Sequence, residues 1–201
     1  MNKTIIDSTK NVGLGKALNE IFQFAIEQGA DWVITLDQDS VCPINYLECA
    51  SRYMNDINIG IIVPRSDDHN MGIKDMKESD RKKTEYIKRC ITSASIIRTD
   101  VYKKVGGYDE MLFVDYVDFD FSIRVYLDGY KILKLNDVNL NHELGQTKKK
   151  KILFWNFRYT EHNPYREYLI GRNIIIYIKR YGNSVNVFRD FLSLCKHFVL
   201  I

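Results

Sequence analysis

The 201-residue sequence lacks paired cysteines, a long apolar run and a strong net charge, and each absence removes a class of protein. Its four cysteines, Cys42, Cys49, Cys90 and Cys195, form no C-x-x-C pair and stand at no spacing to histidine that suggests zinc. Scattered thiols of this kind suit a reducing compartment. No charged-then-apolar leader opens the chain, and no apolar stretch reaches the ~18 residues that cross a bilayer. The expectation is a cytoplasmic protein. A net charge of +3 is too small to imply a nucleic-acid partner, although basic residues gather at Arg81-Lys82-Lys83 and Lys148-Lys149-Lys150-Lys151. A dinucleotide fingerprint is lacking as well. Gly13-Leu14-Gly15 begins one, but Leu18 stands where its third glycine belongs, and no good strand precedes it.

What is present reads as a globular α/β chain, with 45% apolar and 27% charged residues and enough length for one sizeable core. The first ten residues suit a short strand or loop, and Asn11–Gly15 a turn. Leu18, Ile21, Phe22 and Ala25 give Lys16–Gln28 helical periodicity, closed by Gly29. Trp32–Leu36 is a continuous apolar run, the pattern of a strand buried on both faces of a parallel sheet. Pro43 opens a helix to about Met54, and Ile59–Val63 is a strand stopped by Pro64. Arg65–Lys83 is a polar loop, which suits a lid or a merely solvated connection. Strands are expected at Ile91–Ile97 and Tyr130–Leu135, and helices from Asp100 to Gly106-Gly107 and from Phe119 to Leu127. The last quarter is expected to be helical, with Tyr168–Tyr181 strongly apolar. Alternating strands and helices favour a layered α/β domain.

Two acidic segments carry the chemistry. Asp37-Gln38-Asp39 follows the apolar run Trp32–Leu36, so two carboxylates one residue apart stand at a strand's carboxyl end. Ligands bind there in open α/β sheets, and hard cations take one or two carboxylates together with substrate phosphates. The same tripeptide also fits a plain polar turn. In the second segment, Asp109-Glu110 and Asp115, Asp118 and Asp120 alternate with large apolar residues between Phe113 and Phe121. A carboxylate in such partly apolar surroundings suits a general base, its basicity lifted by desolvation. Asp118 equally suits a helix N-terminus, and Arg124 suits a partner for Asp120. His142 follows a predicted strand and is read either as a structural residue or as a third metal ligand or diphosphate contact.

In order along the chain, these pieces resemble family 2 glycosyltransferases of the GT-A fold, in particular their rhamnosyltransferase-like branch. Asn11-Val12-Gly13 to Asn19 is similar to the family's helix entry, and Gly29–Ser40 to its Asp-x-Asp strand. Thr92-Ser93-Ala94-Ser95 is similar to an acceptor-side loop, with Ala94 where glycine is usual. Gly106–Glu110 and Phe113–Arg124 resemble the base-carrying segment, His142 and Gly145 the following loop, and Tyr168 with Arg172-Asn173 the tail. The resemblance covers roughly residues 10–180. It implies a mixed, mainly parallel sheet flanked by helices, incomplete on its N-terminal side, with a helical C-terminal tail. It implies a partial GT-A domain over residues 1–147, followed by a basic, aromatic and helical segment over 148–201.

The implied reaction is an inverting transfer of a sugar from a nucleotide-diphosphate donor to a saccharide or lipid-linked acceptor hydroxyl, in cell-surface polysaccharide synthesis. The resemblance implies that Asp118 is the general base and that Asp37, Asp39, Asn11 and Gly13 lie on the donor side. It implies Asp39, Asp37 and His142 as ligands of Mg²⁺ or Mn²⁺, and Ser93, Asp115, Asp120 and Arg124 on the acceptor side, the last two orienting the segment. The chain starts almost at the Asn-x-Gly turn, so two further strands of the family pattern are not expected. A non-catalytic remnant acting as a binding or partner subunit is therefore the alternative expectation. Lys148–Lys151 runs into Phe154-Trp155, a pattern that suits peripheral contact with an anionic membrane face, or a solvated loop before a core helix.

Overall fold

The computed structural model describes residues 4–6, 10–38, 40–66, 82–142, 147–152, 155–160, 163–188, 190–192 and 195, with backbone alone for 141–142, 147–152 and 155–160. The first helix, α1 (Leu14–Glu27), is followed by β1 (Trp32–Ile34), β2 (Ser40–Val41), α2 (Tyr46–Ser51), β3 (Ile59–Ser66) and β4 (Thr84–Ile87). Next come β5 (Ile96–Arg98), α3 (Thr99–Val105), a 3₁₀ turn (Glu110–Leu112) and α4 (Val117–Leu127). The chain continues through β6 (Lys131–His142), β7 (Thr147–Ile152), β8 (Trp155–Thr160) and α5 (Pro164–Tyr181).

The main sheet runs β1-β5-β3-β6-β2, with β4 also on β6. It is mixed, as expected, but only β3 and β6 run parallel, while β1–β5, β3–β5, β4–β6 and β2–β6 are antiparallel. The mainly parallel expectation thus holds for the central pair alone. β1 pairs only with β5 among the described residues and alternates half-buried, buried, half-buried, so its apolar run is not a strand enclosed on both faces.

Period-two alternation distributes the strand side chains between two cores. Val33, Ile61, Ile97 and Ile132 point to the layer formed by α1, α3 and α4, where they meet Phe22, Val101, Phe121 and Val125. Ile34, Ile62, Ile96 and Leu133 point the other way, onto Tyr46 and Ala50 of α2. Each such side chain, fully buried, contributes roughly 1.5–3 kcal/mol. Tyr46 also pins α2 to the sheet, its hydroxyl lying 2.6 Å from the Ala94 carbonyl and 3.0 Å from that of Ile62.

Other expectations shift by a few residues. Pro64 does not stop β3, because the register slips between Pro64 and Arg65, where a missing backbone N–H costs the ladder nothing. Residues 91–95 form a turn ahead of the short β5 rather than part of a strand. α4 begins at Val117, two residues early. The last quarter is not wholly helical: Lys148–Lys151 lies in β7, paired antiparallel with β8. No helix among the described residues is long and apolar enough to cross a membrane. Most of the Arg65–Lys83 loop lies outside the described residues.

Candidate active site

The site forms where β1, β2, the turn before β5 and the entry to α4 meet. Thr35 continues β1 as a tether: its amide donates to the Ser95 carbonyl at 3.0 Å and its hydroxyl donates to that of Thr92 at 2.6 Å. The chain then leaves the sheet, exposing Asp37, and returns as β2, whose Ser40 hydroxyl pairs with that of buried Ser93 at 2.6 Å. The register sets Ser40 opposite His142 on β6. Three regions distant in sequence are thereby brought together at backbone level.

Asp39 and the His142 side chain lie outside the described residues. The donor chemistry nonetheless fits a hard divalent cation, because Asp37 is exposed and its carboxylate has no hydrogen-bond or ion-pair partner among the described residues. The β2–β6 pairing sets the backbone of the expected imidazole ligand across from the residue that follows Asp39. Among the described residues no three His, Cys, Asp or Glu side chains are gathered closely enough to hold a metal.

Asp118 is the second residue of α4. Its carboxyl is pushed up to about 7, first by burial and then by the negative charges of Asp115 and Asp37, against a 2.8 Å hydrogen bond from the Phe119 amide. The same carboxylate acts electrostatically on buried Cys90 and Tyr108. Burial pushes the Cys90 thiol up to about 12, which leaves it an inert wall. Asp37 and Asp118, 81 positions apart, are thus close enough to sense each other's charge. A carboxyl near 7 is matched to proton abstraction at neutral pH.

The loop leading into α4 is conformationally unusual. Phe113, Asp115 and Tyr116 have φ of 63°, 53° and 65°, a left-handed region that non-glycine residues enter at a cost of about 1–3 kcal/mol each. Asp115 accepts a two-pronged ion pair from Arg166 of α5, at 2.9 and 3.0 Å. On the other flank, the Phe113 carbonyl accepts from the Leu14 amide at 2.6 Å. Gly13, at φ 85°, lies against this loop, where an added Cβ would stand 2.6 Å from the Phe113 ring and 2.8 Å from its carbonyl oxygen. The exposed Asn11 accepts from the Gly13 amide at 3.1 Å. Asn11 and Gly13 therefore shape the loop's flank.

Asp120 and Arg124, expected on the acceptor side, are committed to internal partners. Asp120 is 1% exposed and accepts from Arg124 at 2.9 Å, Arg180 at 3.1 Å and the Tyr181 hydroxyl at 2.7 Å. Arg124 also donates to the Val105 and Gly107 carbonyls at 2.6 and 2.7 Å. These contacts tie α4 to α5 and to the Val105–Gly107 turn. Ser93 does border a cavity of about 670 Å³, together with Arg89, Cys90, Ile123 and Leu140. Arg89 went unnoticed in the sequence; it lies 4.7 Å from the Phe119 ring and pairs with Asp190 at 3.0 Å. Arg166 was missed as well, since nothing local marks a partner 51 positions away.

The family model of glycosyl transferase family 2 matches residues 2–110. The chain is 26% identical over 184 residues to a dTDP-rhamnosyl transferase, RfbF, of Shigella flexneri, covering 85% of this chain and 61% of the relative. It is 25% identical over 175 residues to the amylovoran biosynthesis glycosyltransferase AmsE of Erwinia amylovora, covering 81% and 62%. The chain thus spans about three fifths of the length of these curated relatives. The fold resembles that of the mannosyltransferase PcManGT from Pyrobaculum calidifontis, solved with GDP-Man and Mn²⁺. There the TM-score is 0.59 at 14% identity, over 96% of this chain and 50% of that one. S. aureus TarS 1–349 with UDP matches at a TM-score of 0.51 and 14% identity, over 94% and 52%.

Proposed function

The chain belongs to glycosyl transferase family 2, and from that premise we propose that it carries out an inverting, cation-assisted transfer of a sugar from a nucleotide-diphosphate donor to an acceptor hydroxyl. A deoxythymidine-diphosphate rhamnose is the donor favoured by the Shigella relative, and synthesis of a cell-surface polysaccharide is the setting favoured by the Erwinia one. The single observation that carries the reading is that Asp37, exposed beyond β1, acts electrostatically on half-buried Asp118 at the start of α4, whose carboxyl is pushed up to about 7.

Asp118 takes the proton of the acceptor hydroxyl as that oxygen attacks the anomeric carbon. The new glycosidic C–O bond forms on the face opposite the diphosphate, and the old C–O bond breaks with its electron pair leaving on the diphosphate oxygen. Mg²⁺ or Mn²⁺, when bound, supplies Lewis-acid stabilisation of that leaving group. Asp37, Asp39 and His142 would hold the ion, an oxygen-rich set suited to either metal. Ser93 and the cavity beside it receive the saccharide or lipid-linked acceptor. Residues 1–147 carry the donor and base loops in this reading, and 148–201 supply the rest of the β7–β8 hairpin and α5.

Calorimetry with dTDP-rhamnose, UDP- and GDP-sugars and Mn²⁺ tests the donor side. Heat uptake that Asp37→Ala and Asp39→Ala abolish is expected. No heat with any donor would instead favour a binding or partner subunit. A turnover assay tests the base: Asp118→Asn should lower the rate by about 10²–10⁴-fold, and an unchanged rate would remove Asp118 from the mechanism.

A further inference from the structure

The strained loop before Asp118 is held from behind by one side chain of α5. Asn173 is fully buried, and its Nδ2 lies 2.8, 2.7 and 2.9 Å from the carbonyl oxygens of Leu112, Val114 and Asp115. Two N–H groups therefore serve three carbonyls, at least one of them shared, across the stretch where φ turns positive. The amide is itself held in place: Arg172 donates to its Oδ1 from Nε and Nη2 at 3.0 and 2.9 Å, and from Nη2 to the Met111 and Leu112 carbonyls at 2.7 and 3.3 Å. Arg166, two helical turns earlier, grips Asp115 from the same helix. Carbonyls turned inward by left-handed residues need buried donors, and a half-satisfied set would let the loop relax. Val117 and Asp118 follow directly, so relaxation of the loop would swing the carboxylate.

We propose that Asn173 is a positioning residue for Asp118: through the Leu112–Tyr116 loop, without touching substrate, it fixes where the carboxylate points. The proposal rests on the reading of Asp118 as the base. Arg172 is its support, holding the amide the right way round.

The test is turnover of wild type, Asn173→Ala, Arg172→Ala, Asp118→Asn and the double variant Asn173→Ala/Asp118→Asn, with thermal melts to confirm folding. Asn173→Ala should lower kcat by ~100-fold, the effect of misplacing a reacting group by about an ångström, while KM for the donor stays within about threefold. The acid limb of its pH–rate profile should move to lower pH, because a released carboxyl gains water. In the Asp118→Asn background the same change should lower the residual rate no further. Equal losses in both backgrounds, or a raised KM with kcat intact, would overturn the positioning role. If Asn173→Ala does not fold, the half-buried Arg172→Ala decides: about tenfold loss in kcat with the same non-additivity is expected, and full activity overturns the proposal. The underlying reading fails separately, and first, if wild type transfers no sugar or Asp118→Asn keeps its rate.

Discussion

At the scale of single residues, the role proposed for Asp118 sets activity against stability. Its folded-state carboxyl lies near 7 against an ordinary 3.8, so the folded chain binds more protons than the unfolded chain between those values. Stability should be full below about pH 4 as far as this group is concerned, and should fall as pH rises through 7. Asp118→Asn should abolish that dependence and raise stability at pH 8 by up to about 4 kcal/mol, read as melting temperature against pH, even as turnover is lost. A variant no more stable than wild type at pH 8 would show that the carboxyl is not strained by burial. Gly13→Ala combines a left-handed φ with a Cβ in the space of the Phe113 ring and carbonyl. It should destabilise by more than about 1 kcal/mol, measurable by denaturant titration. Ala94, at φ 56° and fully buried, combines a left-handed backbone with a methyl that the core accommodates. About 0.8 kcal/mol from its buried methyl offsets only part of the roughly 1–2 kcal/mol cost of its left-handed backbone.

At the scale of elements, attachment matters more than intrinsic preference. α2 is a short helix held by the Tyr46 hydroxyl at two buried carbonyls. Tyr46→Phe should cost about 1–3 kcal/mol in an equilibrium unfolding experiment, since those carbonyls lose their donor in the core. The elements legible from sequence were those with local signatures: α1 with its four-residue apolar spacing and Gly29, α3 ending at Gly106, and the Asp-rich entry to α4. β5 reads too long because Ile91–Ile97 is an unbroken run of small and β-branched residues, although Thr92–Ser95 forms a turn in which the Ser95 hydroxyl donates to the Ile91 carbonyl and the Thr92 carbonyl accepts from Thr35. The β7–β8 hairpin went unread because four consecutive lysines carry no alternation that marks a strand. Within the candidate site, Asp37 and Asp118 stand out in the sequence, since carboxylates beside apolar runs are unusual. Their neighbours Arg166 and Asn173 were not legible as supports, since their partners lie more than 50 positions back along the chain.

At the scale of the whole molecule, the run Lys148–Lys151, which falls in β7, makes contact with an anionic membrane face a testable expectation. If Lys148–Lys151 meet an anionic surface, each contributes about 1 kcal/mol, and replacing all four with glutamine should abolish flotation with phosphatidylglycerol vesicles at low salt. Binding to neutral vesicles that survives the change would point to the aromatic residues of β8 instead.

The parallel pairing of β3 with β6 also shapes how the protein is made. Roughly 65 residues separate the end of one strand from the start of the other, which at about 5–20 residues per second is a wait on the order of 3–15 s on the ribosome. Throughout that interval Ile61, Ile62 and Val63 have no partner on their β6 side, so the nascent chain carries an apolar strand with that edge open until β6 is made. A holdase chaperone that recognises extended apolar segments should therefore crosslink to this stretch in stalled chains ending before residue 131, and release it in longer ones.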